Sequence, residues 1–172
     1  DGPRVRGVEV RLNHPLLEQG LVLVDTPGVD GLASAHGRVT LATLRRADAL
    51  LFVADPDAPL SAPELAFLEQ ATERVDTVVF ALTKIDGYRG WRRVLDDDRR
   101  LLAEHAPRFA TGQWCPVSGR LKLAADELEA AGTPDPTLAD ESGVPALIAT
   151  IQSNVAGRTA LLRLANLLRV AR

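Results

Sequence analysis

The chain has 172 residues, 46% of them hydrophobic, and its 20 basic and 23 acidic side chains leave a formal net charge of -3. A chain of this length and composition is expected to form one folded domain, and its balanced charge gives no reason to expect a nucleic-acid partner. No run of apolar residues approaches the roughly eighteen that a membrane span needs, and Cys115, the single cysteine, excludes an intrachain disulfide and favours a cytoplasmic location.

The N-terminal half of the chain alternates predicted strands with predicted helices. Val5 to Leu12 alternates apolar and polar residues, which is typical of a partly exposed edge strand. Helices are predicted over His36–Arg46 and over Ser61–Arg74, where Ser61 and Glu64 have the spacing of a capping box. Three continuous apolar runs predict strands that are covered on both faces of a parallel sheet. These runs are Leu21–Val24, Ala49–Ala54 and Thr77–Leu82.

The C-terminal half continues this alternation and predicts an α/β fold, a mostly parallel sheet flanked by helices. The predicted segments are helix Trp91–His105, strand Gln113–Pro116, helix Leu121–Ala131, surface loop Gly132–Gly143 and helix Val144–Val170. We place residues 1–172 in one domain and expect residues 144–172 to form a C-terminal helix that leads to a helical bundle. The charged run Asp96–Arg100 is expected to be a solvated helix face with i,i+3 and i,i+4 ion pairs.

The first candidate site follows the earliest apolar run, at Asp25-Thr26-Pro27-Gly28. Ligands of open parallel sheets bind beyond the carboxyl ends of the strands. An Asp at such a strand tip can hold Mg²⁺ through water, and a glycine three residues later lets a backbone N–H approach a terminal phosphate. The alternative interpretation is a turn that closes a strand for structural reasons.

A second candidate site follows Thr77–Leu82, at Thr83-Lys84-Ile85-Asp86. The carboxylate of Asp86 can accept from both N1–H and N2–H of guanine, which adenine does not offer. Lys84 can lay its methylene stem over the purine face. A lone match to four residues is common and is weak evidence. The match is stronger here because it follows the first motif in order, with Lys84 lying 59 residues after Asp25 (84 minus 25).

The third candidate site is the Ser118-Gly119 pair after the strand Gln113–Pro116. A backbone N–H of Ser118 or of Gly119 can meet O6 of guanine. An ordinary turn is the alternative for this pair.

These three motifs, in this order after successive strands, resemble the third, fourth and fifth conserved motifs of P-loop GTPases. Three features of the chain are similar to those of the dynamin superfamily, specifically of bacterial dynamin-like proteins. They are Thr83 in place of the commoner Asn, Val29 after the glycine, and the long helical tail. The resemblance covers Val5 to Lys122. It implies that Asp25 and Gly28 face Mg²⁺ and the γ-phosphate. It also implies that four residues surround the base: Thr83, Lys84, Asp86 and Ser118.

The resemblance implies a protein that binds GTP or GDP with Mg²⁺, self-associates and acts on membranes, as a cytoplasmic protein that is peripheral to the inner face of the membrane. The chain departs from the family at the phosphate-binding loop: neither Lys84 nor Lys122 lies in the pattern G-x-x-x-x-G-K-[ST] of such a loop. Because the chain has no methionine and begins at Asp1, we expect it to be part of a longer parent protein.

The predicted function is the guanine-nucleotide-binding core of a dynamin-like GTPase, with this segment inactive by itself. Two alternatives stay open. One is a GTPase of the ribosome-assembly or tRNA-modification type, which would favour Asn at position 83 and a basic RNA-binding extension. The other is a degenerate, non-catalytic GTPase domain that serves as an interaction module.

Overall fold

A parallel sheet organises the chain in the computed structural model, which describes residues 8–18, 20–26, 44 and 46–154. Its strands are β1 (Leu50–Ala54), β2 (Val78–Leu82) and β3 (Gln113–Pro116), in the order β1-β2-β3. Both neighbouring pairs are parallel, and Phe52, Phe80 and Trp114 stand side by side in the register. The predicted α/β fold with a parallel sheet and flanking helices is therefore confirmed.

Helices connect and flank these strands. They are α1 (Ala62–Ala71), α2 (Trp91–His105), α3 (Gly119–Ala130), α4 (Pro136–Glu141) and α5, which covers residues 144–154 of the described chain. A short 3₁₀ turn, Pro107–Phe109, leads from α2 to β3. The predicted capping box at the start of α1 is present, and an oxygen of the Glu64 carboxylate accepts from the Ser61 N–H at 2.7 Å. Among the described residues, no helix has the length and apolarity to cross a membrane.

The larger core lies on one face of the sheet. Phe80 at its centre stacks on Trp114 with ring centroids 4.5 Å apart and contacts Phe52 at 5.9 Å. Phe67 from α1 and Leu102 from α2 cover these rings. The alternation of side chains along each strand places every second residue on this face.

A smaller core lies on the other face, where α5 covers β2 and β3. Val144 and Leu147 of α5 pack against one cluster of buried side chains. Its members are Val79, Ala81, Cys115 and Val117. Cys115 is thus a buried apolar contact, as expected for a lone cysteine. The described part of the predicted C-terminal helix docks on its own domain, and residues 155–172 lie outside the described residues.

Leu51 and Val53 of β1 also point to this second face and are exposed, at 37% and 56%. The expectation that Ala49–Ala54 is covered on both faces is therefore wrong within the described residues. The reason is that α5 lies over β2 and β3 on this face, and no other described element covers the same face of β1. The predicted helix His36–Arg46 lies largely outside the described residues, although Leu44 is helical and buried in the larger core.

The two N-terminal strand predictions are also wrong for the described residues. Residues 8–12 and 21–24 are not in strands, and their large apolar side chains are exposed except for the partly buried Leu21. Apolar runs form strands when a neighbouring strand satisfies their backbone N–H and C=O groups. No described strand pairs with these segments, so the apolar pattern has no sheet to join.

The predicted loop Gly132–Gly143 contains a short helix instead. Asp135 caps α4, and its side chain accepts from the Leu138 N–H at 3.1 Å. Pro136 occupies the first turn, where a missing N–H costs nothing. The proline and the acidic residue, which suggested a loop, are therefore a helix start.

The charged run Asp96–Arg100 on α2 has some side chains in solvent and one in the core. The i,i+3 pairs Asp96–Arg99 and Asp97–Arg100 are present at 3.5 and 2.7 Å, as expected for a solvated face. Asp98, however, is completely buried, because it shares the inward face of α2 with Leu95 and Leu102. One of its oxygens accepts from the Leu60 N–H at 2.8 Å, while the other has no partner among the described residues.

Asp98 should make the protein less stable as the pH rises. Burial, and then the nearby carboxylates of Glu64 and Asp97, raise the pKa of Asp98 to about 6. An acid whose pKa is raised by folding holds its proton more tightly in the folded state, so stability is lost as the pH rises through that value. Between about pH 4.5 and about pH 8 the free energy of unfolding should fall by about 2 kcal/mol more in the wild type than in Asp98→Asn. The asparagine retains an acceptor for Leu60 but does not ionise.

Urea titrations at several pH values, followed by tryptophan fluorescence, measure this difference. Asp96→Asn is the matched control, because Asp96 lies on the same helix with its side chain 76% exposed. Identical pH profiles for the wild type and Asp98→Asn would contradict the assignment of a buried, titrating carboxyl to position 98.

Candidate functional site

Polar residues from three consecutive strand ends meet at one edge of the sheet, here called the carboxyl edge. Asp55 directly follows β1, Thr83 to Asp86 follow β2, and Ser118 lies two residues after β3. Because the strands are parallel and adjacent, their carboxyl ends lie together. The second and third predicted motifs are therefore brought into one site.

Thr83 joins the ends of β1 and β2. Its backbone N–H donates to the carbonyl oxygen of Ala54 at 2.9 Å, and its hydroxyl donates to the same oxygen at 3.0 Å. These bonds prolong the pairing of the strands by one residue. The threonine thus aligns the loop that carries Lys84 and Asp86.

Lys84 has a left-handed backbone conformation, with φ of 56°. This region is rare for residues other than glycine and costs free energy, and such strain is concentrated at functional sites. The ammonium group of Lys84 forms an ion pair with Asp55. The hydrogen bond between them lowers the pKa of Asp55 and raises the pKa of Lys84.

Both carboxylate oxygens of Asp86 accept hydrogen bonds. The hydroxyl of Ser118 donates to Oδ1, and Nε of Arg120 donates to Oδ2 at 2.6 Å. The bond from Ser118, followed by the bond from Arg120, lowers the pKa of Asp86. The site therefore presents an ionised carboxylate that is held from two sides.

Ser118 is completely buried and is the N-cap of α3, where its side chain accepts from the Leu121 N–H at 3.1 Å. Its own backbone N–H donates to the carbonyl oxygen of Ser142 at 2.8 Å. That N–H is therefore engaged, which removes one of the two alternatives for a contact with guanine O6. The amide of Gly119 remains, because the first turn of a helix leaves its N–H groups without helical partners.

The first predicted motif is described in part. Asp25 is exposed outside any helix or strand, and Thr26 is partly buried. Asp25 has no hydrogen bond or ion pair with another described residue, so the structure does not join it to the group around Asp86. Pro27 and Gly28 lie outside the described residues. Within the described part of the chain, no cluster of three or more His, Cys, Asp and Glu side chains is arranged to hold a metal.

Sequence reasoning missed two residues of the site, Asp55 and Arg120. Asp55 comes directly after an apolar run, so the rule that selected Asp25 and Asp86 also applies to it. Arg120 lies two residues after Ser118, just before the predicted helix Leu121–Ala131, and carries no comparable signal. Its partner is 34 residues away in the sequence, and the sheet order brings the two together.

Comparisons with known proteins show which family this chain resembles. Residues 4–85 match the model of the dynamin family. The chain is 34% identical to the isoniazid-induced protein IniA of Mycobacterium tuberculosis over 158 residues. This aligned region covers 91% of this chain and 23% of that protein. It is 33% identical to a probable transmembrane GTPase, FZO-like, of Arabidopsis thaliana, over 66% of this chain and 13% of that protein.

A further relative is dynamin-like protein A of Bacillus subtilis, 29% identical over 50% of this chain and 7% of that protein. The chain thus spans less than a quarter of the length of these relatives. The family match, the named relatives and the parallel sheet with its polar carboxyl edge all lead to one assignment. The chain belongs to the dynamin superfamily and corresponds to part of its GTPase domain.

Proposed function

We propose that this chain is the guanine-nucleotide-binding core of a dynamin-like GTPase, whose longer parent protein hydrolyses GTP to GDP and phosphate. The observation that carries the proposal is the carboxylate of Asp86, ionised and oriented at the carboxyl edge. Guanine offers two N–H donors on one edge, and a carboxylate can accept both in a charge-assisted pair. The family membership supports the same nucleotide.

The residues present fit the base better than the phosphates. A carboxylate has about four acceptor positions, and Asp86 uses two of them for Ser118 and Arg120. Lys84 offers its methylene stem to the purine face, and Gly119 offers an amide for O6. Gly119 has open space around it, because an added Cβ would meet no atom within 4 Å.

The phosphate side of the site requires residues beyond these. We assign Asp25 to Mg²⁺ and Thr26, Pro27 and Gly28 to the γ-phosphate region, in line with their order in the family. Mg²⁺ would neutralise the charge that develops on the phosphates. The chain has no lysine in a phosphate-binding loop, so we expect this segment to be inactive by itself and the parent to supply that loop.

The parent is also proposed to self-associate through its GTPase domain and to have a membrane as its partner. These two proposals rest on membership of the dynamin superfamily alone. The described residues contribute no membrane-spanning helix to such a contact.

Nucleotide titration of the 172-residue chain tests the base-binding role. We expect GDP at millimolar concentration to shift the amide NMR signals of residues 83–86 and 119, whereas ADP should leave them unchanged. The dissociation constant for GTP with Mg²⁺ should be about a millimolar or weaker, because the base contacts act without the phosphate loop.

Two results would contradict the proposal in different ways. Equal responses to ADP and GDP would exclude base selection by Asp86 and favour a degenerate interaction module. A dissociation constant in the low micromolar range would show that tight binding does not need the missing loop.

A further inference from the structure

The carboxylate of Asp86 is covered by an arginine. Nε of Arg120 donates to Oδ2 at 2.6 Å, while Oδ1 accepts from the hydroxyl of Ser118. The side chain of Asp86 is 13% exposed, whereas that of Arg120 is 75% exposed. Arg120 therefore lies on the solvent side of the carboxylate, and a ligand that approaches from solvent meets its guanidinium first.

The two donors to Asp86 differ in how easily they can leave. Ser118 is completely buried, caps α3 and is bonded through its N–H to Ser142, so its hydroxyl is fixed. Arg120 is a long exposed side chain, and within the described residues its one ion pair is with Asp86. An exposed pair of this kind corresponds to roughly a two- to fivefold change in an equilibrium constant. The arginine can therefore be displaced by a ligand that offers better donors.

A guanine edge would compete with Arg120 for the solvent-facing side of the Asp86 carboxylate. N1–H and N2–H lie side by side and would approach the two oxygens of the carboxylate together, from the side that solvent can reach. The Nε–H of Arg120 already occupies one of these oxygens from that side. Oδ1 can accept a second bond beside that of Ser118, because each carboxylate oxygen has two lone pairs.

We propose that Arg120 is a gate on the base-reading carboxylate: it covers Asp86 in the nucleotide-free protein and is displaced when the guanine edge binds. This inference rests on the proposed function of Asp86. Because the ion pair must be broken first, Arg120 lowers the affinity for guanine nucleotides. It also keeps the ionised carboxylate partnered while no nucleotide is bound, which limits the cost of leaving that charge half-buried.

Arg120→Ala in the full-length protein tests the gate. The dissociation constant for GDP should fall by roughly two- to fivefold. The same substitution should have no effect on GDP binding in an Asp86→Asn background, because the gated carboxylate is then absent. Arg100→Ala is the matched control, since Arg100 is 66% exposed and forms a comparable ion pair on α2. It should leave the affinity for GDP unchanged.

The ¹⁵N NMR signal of the Arg120 Nε–H gives a readout that does not depend on affinity or turnover. In the nucleotide-free protein this signal should differ from that of a solvated arginine, and saturation with GDP should move it to the solvated position. ADP should not move it. An Nε–H signal that stays unchanged at saturation with GDP would overturn the gate, as would weaker or equal GDP binding by Arg120→Ala.

Different results would contradict the proposed function of Asp86 and the proposed gate of Arg120. If Asp86→Asn retains the guanine preference of the wild type, the proposed function is wrong. If Asp86→Asn loses that preference while Arg120→Ala does not tighten GDP binding, the function stands and the gate is wrong.

Discussion

Asp86→Asn in the full-length protein should weaken GTP binding by roughly 10²-fold or more and should allow XTP to bind better than GTP. The substitution replaces an anion that accepts two bonds by an amide with one acceptor and one donor group. The amide donor would face the N2–H donor of guanine, so a charge-assisted pair is lost and a polar group is left unpaired. Xanthine carries an oxygen at that position and should accept from the amide.

Competition binding with GTP, XTP and ATP measures this exchange of preference. The fold should survive, because the amide oxygen of the substituted side chain can still accept from Ser118 and position 86 lies in the loop after β2, outside both cores. Asp126→Asn is a suitable control, since Asp126 forms an exposed i,i+4 pair with Lys122 on α3. If Asp86 merely capped a turn, asparagine would serve equally well and the preference for GTP would persist, which is the outcome that would remove this interpretation.

Gly143→Ala should lower the free energy of unfolding by about 3 kcal/mol, from a strained backbone and an overlap together. Gly143 has φ of 69°, and a Cβ at this position would overlap the carbonyl oxygen of Pro116. That contact is with backbone, which cannot turn aside as a flexible side chain would. Relief therefore requires that the end of β3 or the start of α5 shifts.

Gly132→Ala separates the two contributions. Gly132 has φ of 78°, but an added Cβ would meet no atom within 4 Å, so the strain acts alone and should cost about 1 kcal/mol. Urea unfolding of the 172-residue chain, followed by the fluorescence of its tryptophans, gives both values. Equal losses for the two variants would show that the close approach of Gly143 to Pro116 does not constrain the fold.

The position of Gly143 also connects the fold to the site. Its neighbour Ser142 accepts from the Ser118 N–H, and Ser118 in turn holds Asp86. A shift at Gly143 should therefore reach the carboxylate of Asp86, which we propose binds guanine. We expect full-length Gly143→Ala to bind GDP more weakly than Gly132→Ala at a temperature where both are folded.

Much of the sheet and its helices could be predicted from sequence because their signals are local. The apolar runs at Ala49–Ala54 and Thr77–Leu82 contain β1 and β2, and Trp91–His105 is the observed α2. The strand Gln113–Pro116 is also as predicted. An apolar run and a helical periodicity are both patterns within a short segment. They can therefore be recognised without knowing where the rest of the chain lies.

The placement of Asp86 and Ser118 at one site could also be predicted, because motif order and the parallel-sheet rule together specify a shared edge. The apolar patterns at Val5–Leu12 and Leu21–Val24 were misleading for the described residues. An apolar pattern shows that a segment is able to form a strand. Whether the strand forms depends on a neighbouring strand that can pair with its backbone.

The sequence by itself determined the α/β class, the strands β1, β2 and β3, and the motifs from which we propose a guanine site. The tertiary structure decided which charges are buried and which are paired: Asp98 is in the core, Lys84 meets Asp55 across 29 residues, and Arg120 meets Asp86 across 34. Local patterns act through backbone geometry and neighbouring side chains. Burial and ion pairing depend on which strands and helices become neighbours, and that is a property of the folded sheet as a whole.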